Sequence, residues 1–85
     1  MIKVVKKDGT LEDFNVQKVV DAVNKSACRV LINFTEEEEK FICQFVEEKV
    51  FALGMERIEI AQMHNIVEGA LERVNPVVAK SYRDY

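Results

Sequence analysis

The run Val4-Val5-Lys6-Lys7-Asp8-Gly9-Thr10-Leu11-Glu12-Asp13-Phe14-Asn15-Val16-Gln17-Lys18-Val19 decides how the rest of the chain is read. It predicts a strand, a tight turn, a second strand and a helix start, in that order. Asp8-Gly9 is a two-residue hairpin signal, because glycine takes a positive φ without steric cost and aspartate tolerates it. Val4, Val5, Leu11 and Phe14 flank the turn as strand formers. Asn15 stands where a helix N-cap belongs, just ahead of an apolar-periodic run.

The charges in this stretch need an explanation. Lys18 falls at about the third helical position, where a cation opposes the positive end of the helix dipole at a cost of about 0.3–1 kcal/mol. Lys6 and Lys7 lie beside the turn. The free N–H groups of a helix N-terminus suit an anion, so three lysines near one suggest a phosphate site. The same spacing is compatible with solvated surface lysines. With Asp8-Gly9 as the loop both hairpin faces come out mixed, so the strands do not choose between these readings.

Outward from this stretch, apolar residues recur at Val16, Val19, Val20, Val23, Ala27, Val30 and Leu31, one face of a helix expected to end near Ile32-Asn33. Thr35-Glu36-Glu37-Glu38 is a capping-box pattern. It opens a second helix that buries Phe41, Ile42, Phe45, Val46, Val50 and Leu53, and Gly54 is placed to end it in the left-handed conformation. Ile58-Glu59-Ile60 alternates and can add a third strand to the hairpin. A third helix carries Ile60, Met63, Val67, Ala70, Leu71 and Val74 on one face. Asn75-Pro76 starts a fourth, with Val78, Ala79 and Tyr82, that runs to Tyr85 without a stop residue. The expected order is β-β-α-α-β-α-α, an α+β domain in which four helices pack together under a small sheet.

Size and composition set limits. A chain of 85 residues, 48% apolar and 32% charged, supports a single small domain. A net charge of −3 argues against a general nucleic-acid binder. No apolar run approaches the roughly 20 residues of a bilayer span, and the first residues lack the apolar core of a signal peptide. Cys28 and Cys43 lack a paired spacing and read as reduced, structural residues of a cytoplasmic protein, with no metal site. One histidine, His64, lies at the edge of the third helix's apolar stripe. It reads either as a core-edge residue or as a polar group at the mouth of a site. No catalytic constellation stands out, and neither GxxxxGK[ST] nor GxGxxG is present.

Lys6-Lys7-Asp8-Gly9 followed by Glu12, Phe14, Asn15, Lys18 and Val19 resembles the ATP-cone, a regulatory nucleotide-binding module. Ile58 to Glu68, then Ala79 and Tyr82 to Tyr85, look like the later parts of the same pattern. The resemblance implies a four-helix bundle capped by a three-stranded sheet over residues 1–85. ATP-cones stand at the N-terminus of many ribonucleotide reductases and in a zinc-ribbon repressor of their genes. With no four-cysteine ribbon here, the resemblance favours the reductases, and among them the anaerobic class. The expectation is therefore a regulatory domain cut from the N-terminus of a longer protein.

By that similarity ATP and dATP compete for a cleft under the hairpin, with Mg2+ and without any redox cofactor in this piece. Lys6, Lys7 and Lys18 would contact phosphates. The backbone around Lys7, with Glu12 and Phe14, would frame the adenine. Asn15, Val19, Ile60 and His64 would line the pocket, and Lys80 is a further nucleotide-binding candidate. Two departures stand out: lysine replaces the commoner arginine at position 7, and the chain stops where the family continues with another basic residue. The implied partners are the catalytic domain of a parent reductase and a second copy of the cone, with no nucleic acid and no membrane. The chain itself would sense rather than catalyse. The alternative from a different class is a nucleotide-independent interaction or oligomerisation module, motivated by the acidic second helix.

Overall fold

Three residues, not two, turn the hairpin. In the computed structural model, which describes residues 2–84, β1 spans Lys3–Val5 and β2 spans Leu11–Asp13. The Lys6 N–H donates to Thr10 O (2.9 Å) and the Gly9 N–H donates to Lys6 O (2.9 Å), so the loop is Lys7-Asp8-Gly9 with Gly9 at φ +86°. The Asp8 carboxylate accepts from the Thr10 amide (3.0 Å) and hydroxyl (2.6 Å). These bonds hold its pKa below the usual carboxylate value. The longer loop moves the register by one residue from the expected pairing, and Val4 faces Glu12. This sorts the mixed faces. Val4 (7% exposed), Glu12 and Ile58 (1% exposed) share the side turned to the helices, and the Lys3–Asp13 ion pair crosses the strands on the other side.

β3, Arg57–Glu59, runs parallel to β1 and gives the sheet order β2-β1-β3. It is shifted one residue earlier than Ile58-Glu59-Ile60 predicts: Arg57 joins the strand opposite Lys3, and Ile60 already opens α3 (Ile60–Val74). The other helices are α1 (Val16–Arg29), α2 (Glu36–Ala52) and α4 (Pro76–Arg83). α1 packs on α2 and α4, and α3 packs on the same two helices and on the sheet. The fold is α+β. Ile42, Val46 and Val50 of α2, Val23 and Ala27 of α1, Val67, Ala70 and Leu71 of α3, and Val78 and Ala79 of α4 form the core with Val4 and Ile58.

The predicted helix starts are built as their residues dictate. Asn15 Oδ1 accepts the Gln17 N–H (2.9 Å), and Asn75 Oδ1 accepts the Val77 N–H (3.0 Å) with Pro76 in the first helical position. Thr35 and Glu38 form the reciprocal capping box. Gly54, at φ +61°, ends α2.

Several expectations are corrected. α1 stops at Arg29, short of Ile32-Asn33. The Leu31 N–H donates to Cys28 O (3.1 Å) and the Ile32 N–H to Ala27 O (2.9 Å), a Schellman motif that closes the helix. Its left-handed position is filled by Leu31 itself, at φ 59° and 93% exposed, so Leu31 leaves the predicted core. Phe41 and Leu53 are also exposed, since the buried face of α2 is the narrower stripe through Ile42, Val46 and Val50. Cys28 is exposed and Cys43 half-buried, both as free thiols. α4 closes at Arg83 with Asp84 as its cap, and the expected continuation to Tyr85 lies outside the described residues.

Candidate functional site

A cavity of about 660 Å³ opens between the hairpin loop and helices α1, α3 and α4. That is within the roughly 300–1,000 Å³ usual for small-ligand pockets. The hairpin contributes Lys7. α1 contributes Lys18, Asp21, Ala22, Lys25 and Ser26, residues spaced at i, i+3, i+4, i+7 and i+8 and therefore on one flank of the helix. α3 contributes Ile60, Ala61, His64, Asn65 and Glu68, and α4 contributes Tyr82 and Arg83. The short side chains of Ala22, Ser26 and Ala61 leave space where three helices meet. Ser26 is 2% exposed, and its backbone carbonyl accepts the Ser81 hydroxyl (3.0 Å), which ties α1 to α4 below the cavity.

The lining is rich in cations. Lys7, Lys18, Lys25 and Arg83 face it against the carboxylates of Asp21 and Glu68. Arg83 Nε binds Glu68 Oε1 at 2.7 Å. Lys7 and burial both hold the His64 pKa below the ordinary imidazole value, burial contributing more. Burial pushes the Tyr82 phenol up to about 12, with the Glu68 carboxylate adding to it. His64 is therefore neutral at pH 7, and Tyr82 remains a protonated hydroxyl. The wall thus offers ammonium groups, a neutral imidazole and a phenol, a set suited to an anionic ligand with an aromatic or sugar part.

The candidates named from sequence divide into three groups. Lys7, Lys18, Ile60 and His64 line the cavity together. Lys6 and Glu12 adjoin it: the Glu12 carboxylate bridges Lys6 Nζ (3.2 Å) and Lys18 Nζ, and Lys18 stands on the cavity wall. Phe14, Asn15, Val19 and Lys80 lie outside this lining. Phe14 packs edge-on against Phe51, with ring centroids 6.2 Å apart, Asn15 caps α1, Val19 is a core residue, and Lys80 is exposed on α4. The helix-end amides expected to meet an anion are partly used within the chain, Gln17 N–H by the Asn15 side chain and Lys18 N–H by the Asn15 carbonyl (3.1 Å).

Sequence reasoning did not single out Asp21, Ala22, Lys25, Ser26, Ala61, Asn65, Glu68 and Arg83 as site residues, and it named Tyr82 only as part of the last helix and of the family pattern. A signal existed for α1. Lys18, Ala22, Lys25 and Ser26 border the apolar stripe of Val19, Val23 and Ala27 at helical spacing. Nothing comparable marks Asn65 or Arg83, which reach the cavity only through the meeting of α3 and α4. Among the described residues no group of three or more His, Cys, Asp or Glu side chains could hold a metal ion, and no helix is long and apolar enough to cross a membrane.

A family model described as ATP cone domain matches residues 2–85. The chain belongs to the ATP-cone family. ATP-cones are regulatory nucleotide-binding domains found in ribonucleotide reductases, with ATP and dATP as their effectors. The chain is also 32% identical over 87 residues to the anaerobic ribonucleoside-triphosphate reductase of Haemophilus influenzae (strain ATCC 51907 / DSM 11121 / KW20 / Rd). That match covers 96% of this ATP-cone but 12% of the length of the relative.

Proposed function

We propose that this ATP-cone controls the overall activity of a ribonucleotide reductase of the anaerobic class by binding ATP or dATP in the cavity between the hairpin and helices α1, α3 and α4. The observation that carries the reading is the convergence of Lys7 and Lys18 on the same 660 Å³ space as His64 and Tyr82. The ammonium groups supply charge for a triphosphate, and the exposed His64 ring with the half-buried Tyr82 ring supplies a face for the nucleoside. Mg2+ belongs to the triphosphate rather than to a protein cage in this reading, because the described residues form no cluster of metal-binding side chains.

ATP and dATP differ by the ribose 2′-hydroxyl, and each can shift an equilibrium only by its differential affinity for two arrangements. Those arrangements are contacts of the cone with the catalytic domain of its parent or with a second cone, in the cytoplasm. Tyr82 and Arg83 stand at the cavity, so α4 is one candidate for the element that passes the ligand state to those contacts.

A thermal-shift titration tests the reading. A ligand at about a hundred times its dissociation constant stabilises by roughly 2.7 kcal/mol, which raises the melting temperature of a domain this small by about 10 °C or more. ATP and dATP at millimolar concentration are expected to give such shifts. Folded protein that responds to neither would reject the nucleotide site and favour a nucleotide-independent interaction module.

A further inference from the structure

Lys6 and Lys18 are already engaged, and by the same partner. Lys6 follows β1, Lys18 is the third residue of α1, and Glu12 is the middle residue of β2. Register places Glu12 opposite Val4, on the side of the sheet that faces the helices. From there its two oxygens divide the work: Oε2 meets Lys6 Nζ at 3.2 Å and Oε1 meets Lys18 Nζ. The carboxylate is thus the clasp between hairpin and α1, and it holds one of the ammonium groups that line the cavity.

We infer that Glu12 is a built-in competitor for the phosphate-binding lysines, so that a polyphosphate must displace its carboxylate and in doing so unfastens β2 from α1. The inference rests on the polyphosphate site proposed above and adds its regulation. A triphosphate offers several anionic oxygens and can give both lysines an acceptor at once, whereas a carboxylate left beside it meets like charge. The Glu12 side chain is 29% exposed, so the displaced carboxylate has water to turn to. Weak or small anions lack the charge to complete the exchange. The clasp therefore sets a threshold that favours triphosphates over inorganic phosphate, and it converts ligand charge into a loosened hairpin–helix contact.

The probe is inorganic tripolyphosphate, which has the charge of the effector but neither base nor sugar. Its affinity is measured by calorimetry beside that of ATP, for the parent chain, Glu12→Gln and Asp21→Asn. Asp21 lines the same cavity, but its carboxylate accepts from Gln17 Nε2 (3.2 Å). Glu12→Gln is expected to bind tripolyphosphate about tenfold more tightly, the scale of one charge-assisted contact, and Asp21→Asn to change affinity by only about twofold, as a screened surface charge does. In the parent chain, the carboxyl carbon resonance of Glu12, assigned by its loss in Glu12→Gln, should move when tripolyphosphate saturates the site. The inference is overturned if Glu12→Gln binds tripolyphosphate equally or less well, if Asp21→Asn tightens binding as much, or if the resonance stays in place. Failure of the parent chain to bind either tripolyphosphate or ATP would instead remove the nucleotide site itself.

Discussion

His64 on α3 and Tyr82 on α4 meet edge to face, with ring centroids 5.8 Å apart and planes at 89°. The pair spans two helices at the wall of the cavity, so its protonation and packing both bear on what the cavity holds.

His64 makes ligand binding depend on pH. Lys7 faces the same space from the hairpin, Lys18, Asp21 and Lys25 from α1, Glu68 from α3, and Tyr82 and Arg83 from α4. Without ligand the folded pKa lies below the ordinary 6.5, so the unfolded chain binds more protons between those two values. The His64 contribution to stability is thus complete above about pH 6.5 and declines as pH falls through that value towards the folded pKa. A bound triphosphate favours the imidazolium, so binding takes up a proton and the His64 contribution to affinity grows as pH falls from 8 to 6. Calorimetry at both pH values should give a parent-to-His64→Gln affinity ratio several-fold larger at pH 6. An unchanged ratio would exclude a charge interaction between His64 and the phosphates.

Lys18→Met separates binding from folding. The Lys18 side chain is 61% exposed, and its ion pair with Glu12 is a surface pair worth about 0–1 kcal/mol, offset by relief of a cation at the start of the helix. Urea denaturation should show stability within about 0.5 kcal/mol of the parent. ATP affinity should fall about tenfold or more, since one charge-assisted phosphate contact is lost. Parent-like affinity would remove Lys18 from the site.

Leu31→Gly should stabilise the domain. Leu31 holds the left-handed position at the end of α1 and is 93% exposed, so its side chain contributes little packing to set against its backbone strain. Glycine relieves about 1 kcal/mol of that strain and loses part of it to unfolded-state entropy. The expected net gain is about 0.5 kcal/mol, read as a higher urea midpoint with an unchanged slope.

Leu71→Ala should be severe. Leu71 is fully buried on α3 among α2 and α4 residues, and truncating a buried leucine costs about 2–5 kcal/mol. The total stability of a domain this small is about 5 kcal/mol. Thermal unfolding should lose most of its cooperative transition at 37 °C. A melting temperature within about 5 °C of the parent would show that the core relaxes around the gap.

Much of the fold is written in short-range chemistry. Asn15, Thr35 with Glu38, and Asn75 with Pro76 mark helix starts because a side-chain oxygen two or three residues from an amide can satisfy it whatever the rest of the chain does. Gly54 marks a stop for a similarly local reason. The departures from that reading have physical causes, some local and some tertiary. The loop gained Lys7 and moved the register, and Leu31 accepted a backbone conformation that its side chain disfavours because Ile32 completes the end of α1 and packs against the core. Phe41 looked like core from its spacing on α2, yet the width of the buried stripe depends on how closely α1 and α3 approach that helix.

The sequence by itself determined the order of strands and helices, where most of them begin, the apolar stripes that hold them together and the lysine-rich hairpin that marks the family. Each follows from interactions within a few residues or from a periodicity along one element. The cavity was decided only by the tertiary structure. Lys7, Lys18, His64 and Arg83 come from four separate segments, and no local rule specifies the distance between segments. That distance is set by the packing of α1, α3 and α4, and so is the position of Glu12, whose carboxylate joins Lys6 and Lys18 once the hairpin register and the path of α1 are both fixed.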